Sequence, residues 1–124
     1  MPSEDIKKVR KLIAAQPPRN EMTIEERRAL MDSWDEAHPV PDGVSVAAAQ
    51  VADVPVEWIT ATEAKDDGIL LFLHGGGYVI GSPSSHRHLV ANLSAETGLQ
   101  SLLVDYRLAP EDPFPAAVED TLSV

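Results

Sequence analysis

The spacing of apolar positions changes period several times along the chain, and each change marks an element. Over residues 4–16, Ile6, Val9 and Ile13 recur at helical spacing, with Lys7, Lys8, Arg10 and Lys11 on other faces. Pro17-Pro18 stops that helix. Thr23 opens a second one: Thr23 and Glu26 form a capping box, and Ile24, Leu30, Met31 and Trp34 supply the apolar stripe until Pro39 and Pro41. From Val44 to Thr62 the period falls to two. Val44, Val46 and Ala48 alternate, then Val54, Val56, Trp58 and Thr60, which predicts a hairpin bent near Asp53 and Pro55. Ala61–Asp67 predicts a polar loop. Ile69–Leu73 is an uninterrupted apolar run, the pattern of a strand buried on both faces. A helix then runs from the serines at 82–85 to about Thr97, with Leu89, Val90 and Leu93 inward and Gly98 at its C′ position. Leu102-Leu103-Val104 predicts a second buried strand. Strand, helix and strand in this order predict a right-handed parallel crossover. Pro115 begins a further helix, at a position where proline is tolerated.

Composition narrows the classes of function. The chain has 124 residues, enough for one ordinary domain. It carries 10 Lys+Arg against 20 Asp+Glu, a net charge of −10. The acids are spread along the chain, which predicts a solvated surface and argues against nucleic acid or an anionic membrane as partner. Cysteine is absent, so neither a disulfide framework nor thiol chemistry enters. No apolar run approaches the length of a membrane helix or a signal-peptide core, and a cytoplasmic location is the expectation. No cofactor or metal is called for. His86 and His88 stand one residue apart, but no third ligand accompanies them, and surface histidines are the simpler expectation.

The candidate chemistry lies where the Ile69–Leu73 strand ends, at His74-Gly75-Gly76-Gly77-Tyr78. Glycine lets the backbone take positive φ and lets a ligand approach the amides. Ligands of open α/β sheets bind at the carboxyl ends of strands. Successive N–H groups there could hold the oxyanion of a carbonyl under attack. They could also hold a phosphate. The lysine-containing P-loop fails, since no Gly-Lys-Ser/Thr follows. The dinucleotide pattern requires glycines at n, n+2 and n+5. Here they stand at Gly75, Gly77 and Gly81, the last one residue late, although Asp105 could imitate the ribose-binding acid. A glycine turn without chemistry is the third reading.

Longer motifs favour the first. His74-Gly75-Gly76-Gly77-Tyr78, Gly81-Ser82-Pro83 and Ser85-His86-Arg87 are followed by Asp105-Tyr106-Arg107-Leu108-Ala109-Pro110-Glu111 and by Phe114-Pro115-Ala116-Ala117-Val118-Glu119-Asp120. In this order and spacing they resemble the bacterial hormone-sensitive-lipase-type esterases, which are α/β-hydrolases, over roughly residues 54–124. The resemblance implies the N-terminal part of an α/β-hydrolase fold, an incomplete mixed sheet of about four strands. It implies cap-type helices over 1–40, set above an acyl pocket, and the first half of the hydrolase domain over 41–124. The implied activity is serine carboxylester hydrolysis on short- to medium-chain acyl esters. Gly76 and Gly77 would supply the oxyanion amides. His74 would hold the loop by hydrogen bonding and Gly75 would shape the turn. Tyr78 would line the substrate pocket. Asp105, Tyr106, Arg107 and Glu111 would form a structural ion-pair loop that braces the glycines. Asp112 stands where relatives often carry histidine, and no function is attached to it.

The rest of the machinery is missing from these residues. This mechanism needs a nucleophile, a base and an orienting acid. The family's serine lies in Gly-x-Ser-x-Gly, and no such pentapeptide occurs here. The acid and histidine follow the serine in α/β-hydrolases, so the whole triad is expected beyond Val124. A triad drawn from Ser82, Ser84 or Ser85 with His86 or His88 and Asp105 has no geometry to fix it. The chain alone is therefore expected to be inactive, and self-association through an exposed sheet edge is expected of it. Two other classes remain: a truncated or split-partner module that only associates, and a nucleotide-binding α/β domain.

Overall fold

The computed structural model describes residues 3–124, without the side chains of Arg19 and Asp66. Its centre is a mixed sheet of four strands in the order β1-β2-β4-β3. β1 (Val44–Val51) and β2 (Val54–Ala61) form the antiparallel hairpin that the alternation predicts. Ala52 and Asp53 both take positive φ at its two-residue turn, the twist that such a hairpin requires. β2 pairs antiparallel with β4 (Leu99–Val104), and β4 pairs parallel with β3 (Lys65–Leu73). Between β3 and β4 the chain passes through α4 (Pro83–Thr97), so the crossover connects parallel neighbours.

Each face of the sheet has its own core, and the two-residue period assigns side chains to them. On one face Val54, Val56, Leu102, Val104 and Tyr106 are buried, joined by Ala117 of the last helix, α5 (Ala116–Ser123), and by Val124 just after it. On the other, Ile59 and Leu103 pack with Val90 and Ala91 of α4, and Phe72 joins them. α4 starts on a Ser82–Ser85 capping box and stops at Gly98, whose φ of 68° supplies the left-handed cap.

Among the described residues three α-helices precede the sheet, α1 (Glu4–Ala14), α2 (Ile24–Asp32) and α3 (Trp34–Ala37), with a 3-10 turn at Arg19–Glu21 between the first two. The capping box of Thr23 and Glu26 is present at the start of α2. The stripe to Trp34 is not one helix, because the chain breaks at Ser33, where Ser33 Oγ donates to Leu30 O. Arg87 fastens this region down. Its guanidinium donates to both oxygens of Glu57 on β2, at 2.7 and 2.8 Å, and to Asp35 on α3.

Several expectations need correction. β3 starts at Lys65, inside the expected polar loop. Lys65 pairs with Leu99, its N–H donates to Gly98 O at 2.7 Å, and a register shift separates it from Ile69. The Ile69–Leu73 run is not buried on both faces. β3 is an edge strand whose Leu70 and Phe72 are half-buried, while Ile69, Leu71 and Leu73 are 56%, 49% and 45% exposed. Leu89 is exposed rather than inward. α1 ends at Ala14, and Ile6, Val9, Leu12 and Ile13 along it are exposed among the described residues.

Candidate active site

The glycine segment follows β3 directly and folds as a tight turn. Val79 N–H and Ile80 N–H both donate back to Gly76 O, at 3.3 and 3.1 Å. Gly76 and Gly77 have φ of 139° and 64°, and Gly81 has 95°. These conformations belong to glycine. Tyr78 also takes a positive φ, 61°, which is unusual for a bulky residue and carries strain. Gly76 is irreplaceable for a second reason: a Cβ there would lie 1.8 Å from Ile80 O. At Gly81 it would lie 2.3 Å from Gly75 O and 2.6 Å from His74 Nδ1. Gly75 is different. A Cβ on it would meet nothing within 4 Å, so the steric demand for glycine in this turn falls on Gly76 and Gly81.

Four carbonyls of this turn, those of Gly75, Gly76, Tyr78 and Val79, are bonded to protein, and its leading amides are not. His74 Nδ1 bonds to Gly75 O at 3.0 Å. Ala109 N–H donates to Tyr78 O at 2.8 Å, and Arg28 Nε donates to Val79 O at 2.8 Å. The N–H groups of Gly76 and Gly77 donate to no acceptor among the described residues. The turn borders a cleft of about 440 Å³ lined by Leu73, His74, Gly75–Gly77, Tyr78 and Tyr106, with Ala117, Val118, Thr121 and Leu122 of α5 opposite. A second recess, about 370 Å³, opens on the other side of Gly75 and Gly76. Met22, Leu30, Met31, Trp34, Ile80 and His86 contribute to it.

His74 is 3% exposed and stacks on Tyr106 with ring centroids 4.2 Å apart. Tyr106 Oη donates to His74 O. That leaves His74 Nδ1–H to donate to Gly75 O and Nε2 as a buried acceptor with no hydrogen-bond partner among the described residues. Burial lowers the His74 pKa, opposed by the bond to Gly75 O and by Asp32. His86, with its ring centroid 5.6 Å from that of His74, is lowered by burial and then by His74. His88 stacks on His38 at 4.8 Å and is lowered by burial and then by the two neighbouring histidines. His86 and His88 are half-buried and are not the surface residues expected.

These shifts have one sign. Burial favours the neutral form of His74, His86 and His88 in the folded state, while the unfolded chain takes a proton at these positions near the ordinary value of 6.5. Stability is therefore full above that pH and falls as the pH drops below it, by up to about 1.4 kcal/mol per pH unit for a group as buried as His74. Urea unfolding at about pH 7.5 and about pH 5.5 should show a lower midpoint at the acidic value. Equal midpoints would refute the burial account.

The motif after β4 draws its ion-pair partners from other segments. Asp105, Arg107 and Glu111 form no ion pairs with one another among the described residues. Arg107 pairs with Asp120, through its side chain at 2.7–3.0 Å and its backbone N–H at 2.8 Å. Asp120 is buried, and Arg107 lowers its pKa. Glu111 takes Arg28 in a bidentate pair at 2.7 and 2.9 Å, which brings its pKa to about 2. Asp105 has no partner side chain among the described residues; its pKa is raised by partial desolvation and then by Glu57 and Asp32.

Ser85 lies 2.8 Å from His86 Nδ1, but it is no nucleophile. Its Oγ is buried, donates to Ser82 O, and accepts Ser82 N–H in the α4 capping box. His86 bonds no carboxylate among the described residues. Among the described residues no group of three or more His, Asp or Glu could hold a metal ion, and no helix is long and apolar enough to cross a membrane. Sequence reasoning missed Gly81, Arg28 and Asp120 as parts of the site. For Gly81 the glycine itself was the signal. Asp120 closes the Phe114–Asp120 motif, but no local spacing ties it to Arg107, and for Arg28 there was no signal, since its partners lie far along the chain.

Comparison with known proteins agrees with the geometry. A family model described as an alpha/beta hydrolase fold matches residues 70–124. An acetyl-hydrolase of Streptomyces hygroscopicus is 41% identical over 127 residues, which cover 99% of this chain and 41% of that protein. An ethyl acetate hydrolase of Pseudomonas putida is 53% identical over 53 residues, 43% of this chain and 17% of that protein. The crystal structure of an esterase from the bacterial hormone-sensitive lipase family superposes with a TM-score of 0.89 at 40% identity, covering 99% of this chain and 41% of that one. The chain thus spans well under half the length of these relatives. In sequence and in fold alike, it belongs to the α/β-hydrolase superfamily, in its bacterial hormone-sensitive-lipase-type branch.

Proposed function

We propose that these residues are the oxyanion-hole portion of a serine carboxylester hydrolase acting on short- to medium-chain acyl esters. The observation that carries this is the turn after β3. Its Gly76 and Gly77 amides are unspent while the Gly75, Gly76, Tyr78 and Val79 carbonyls are bonded, and the turn borders a cleft. Two aimed amides stabilise the alkoxide that forms when a nucleophile attacks an ester carbonyl, and losing one donor typically costs about 10²–10³ in rate. The apolar recess of Met22, Leu30, Met31, Trp34 and Ile80 on the other side of the turn suits a small acyl or alcohol group. The names of the acetyl-hydrolase and ethyl acetate hydrolase relatives point to the same size of group.

The nucleophile, acid and histidine come from polypeptide outside these residues, because no Gly-x-Ser-x-Gly occurs within them. The test is hydrolysis of p-nitrophenyl acetate and butyrate, by the chain alone and after it is extended or mixed with polypeptide that completes the hydrolase fold. The expected result is no turnover above buffer alone and restored turnover on completion. Hydrolysis by the 124-residue chain itself, abolished by a serine-directed phosphonate, would overturn the proposal.

A further inference from the structure

Arg28 lies on α2, far in sequence from everything its guanidinium touches. Nε donates to Val79 O at 2.8 Å. Nη1 donates to Glu111 Oε1 at 2.7 Å, and Nη2 donates to Glu111 Oε2 and Ala109 O, each at 2.9 Å. One planar group thus joins three segments: the N-terminal helix, the far limb of the glycine turn and the loop after β4. The two loops are also joined directly, since Ala109 N–H donates to Tyr78 O at 2.8 Å. The consecutive carbonyls of Tyr78 and Val79 are each held, the first by Ala109 and the second by Arg28. Val79 and Ile80 in turn send their own N–H groups back to Gly76 O.

We infer that Arg28 is a positioning residue for the glycine turn. It fixes the Val79 peptide plane, and through the bonds from Val79 and Ile80 to Gly76 O it keeps the Gly76 and Gly77 amides directed away from protein acceptors. Glu111 orients the fork and neutralises it. The inference rests on the oxyanion reading above for what those amides are used for, but not for the geometry itself. α2 then does more than cover the site; it is one of the supports that set the turn. Lysine cannot replace Arg28, because an ammonium is a point charge without the planar set of donors that reaches Val79 O, Ala109 O and Glu111 together.

Hydrogen exchange of the 124-residue chain, followed by mass spectrometry, tests this in wild type, Arg28→Lys and Glu111→Gln. In Arg28→Lys, the segment 75–82 should exchange about tenfold faster than in wild type, with 99–104 of β4 within about twofold. Glu111→Gln leaves Arg28 in place and should move the same segment in the same direction by less. Unchanged exchange over 75–82 would overturn the inference. Equal acceleration of both segments would overturn it as well, by reducing Arg28 to general stability. Ester hydrolysis is a separate readout. If the turn loosens in Arg28→Lys while the completed hydrolase keeps its full turnover, the oxyanion reading fails and the positioning role stands.

Discussion

Gly76→Ala should cost this chain on the order of 4 kcal/mol of folding stability, a large part of what an ordinary domain possesses. The new methyl carbon would have to occupy a point 1.8 Å from Ile80 O, and φ at Gly76 is 139°. Ile80 is main chain, so no rotamer change relieves the contact. The turn must open, and it cannot do so without losing the bonds that Val79 and Ile80 donate to Gly76 O. In a completed hydrolase the same substitution should lower kcat by about 10²–10³, because the amides would no longer converge on one oxyanion. Gly75→Ala is the matched control. With open space around its Cβ position, it should change stability by no more than about 0.5 kcal/mol. Urea midpoints of the two variants check the pair. Similar midpoints would mean that the turn is more plastic than its geometry implies.

Asp120→Ala should cost about 2 kcal/mol and loosen the α5 wall of the cleft. The buried Asp120 carboxylate accepts both the side chain and the backbone N–H of Arg107, which pins α5 to the end of β4. The cost stays below that of breaking a fully buried ion pair, because the Arg107 side chain is 46% exposed and water replaces part of what it loses. Asp120→Asn keeps an acceptor for the Arg107 amide and should cost less than the alanine variant. Thermal denaturation orders the three proteins. An alanine variant as stable as wild type would show that α5 is held by Ala117 and Val124 alone. Acid acts in the same direction. Arg107 lowers the Asp120 pKa and Arg28 brings Glu111 to about 2, so both contributions are full above the ordinary carboxylate range and vanish as the pH falls through the folded values.

Local patterns were legible and distant partners were not. The alternation from Val44 to Thr62 announces β1 and β2, the Thr23–Glu26 spacing announces the α2 cap, and Gly98 announces the end of α4. Each of these is decided by residues a few positions apart. The start of β3 is decided instead by a bond from Lys65 N–H to Gly98 O, which side-chain polarity does not report. The exposure of Ile69, Leu71 and Leu73 follows from the place of β3 at the edge of the sheet. An apolar run states what a strand prefers to be buried against, not whether these residues supply it. At the site, the His-Gly-Gly-Gly motif locates the turn, but which glycine is sterically essential depends on where Ile80 O and His74 lie. The pairing of Arg28 with Glu111 joins the first helices to the last loop, and no local spacing encodes that.

The strand order has a consequence for how the chain is made. Of these four strands β4 comes last along the chain, yet it lies between β2 and β3 in the sheet. A ribosome completes the hairpin at Ala61 and β3 at Leu73, but the strand that joins them ends at Val104. At about 5–20 residues per second, the roughly forty residues between Ala61 and Val104 take about 2–8 s to add. Through that interval the nascent hairpin carries Val54, Val56 and Ile59 with their β4 neighbours not yet made, and β3 waits beside it with no strand to pair with. The sheet closes only once Val104 has cleared the exit tunnel, so a chaperone that holds exposed apolar strands has its longest opportunity on this chain just before β4 arrives.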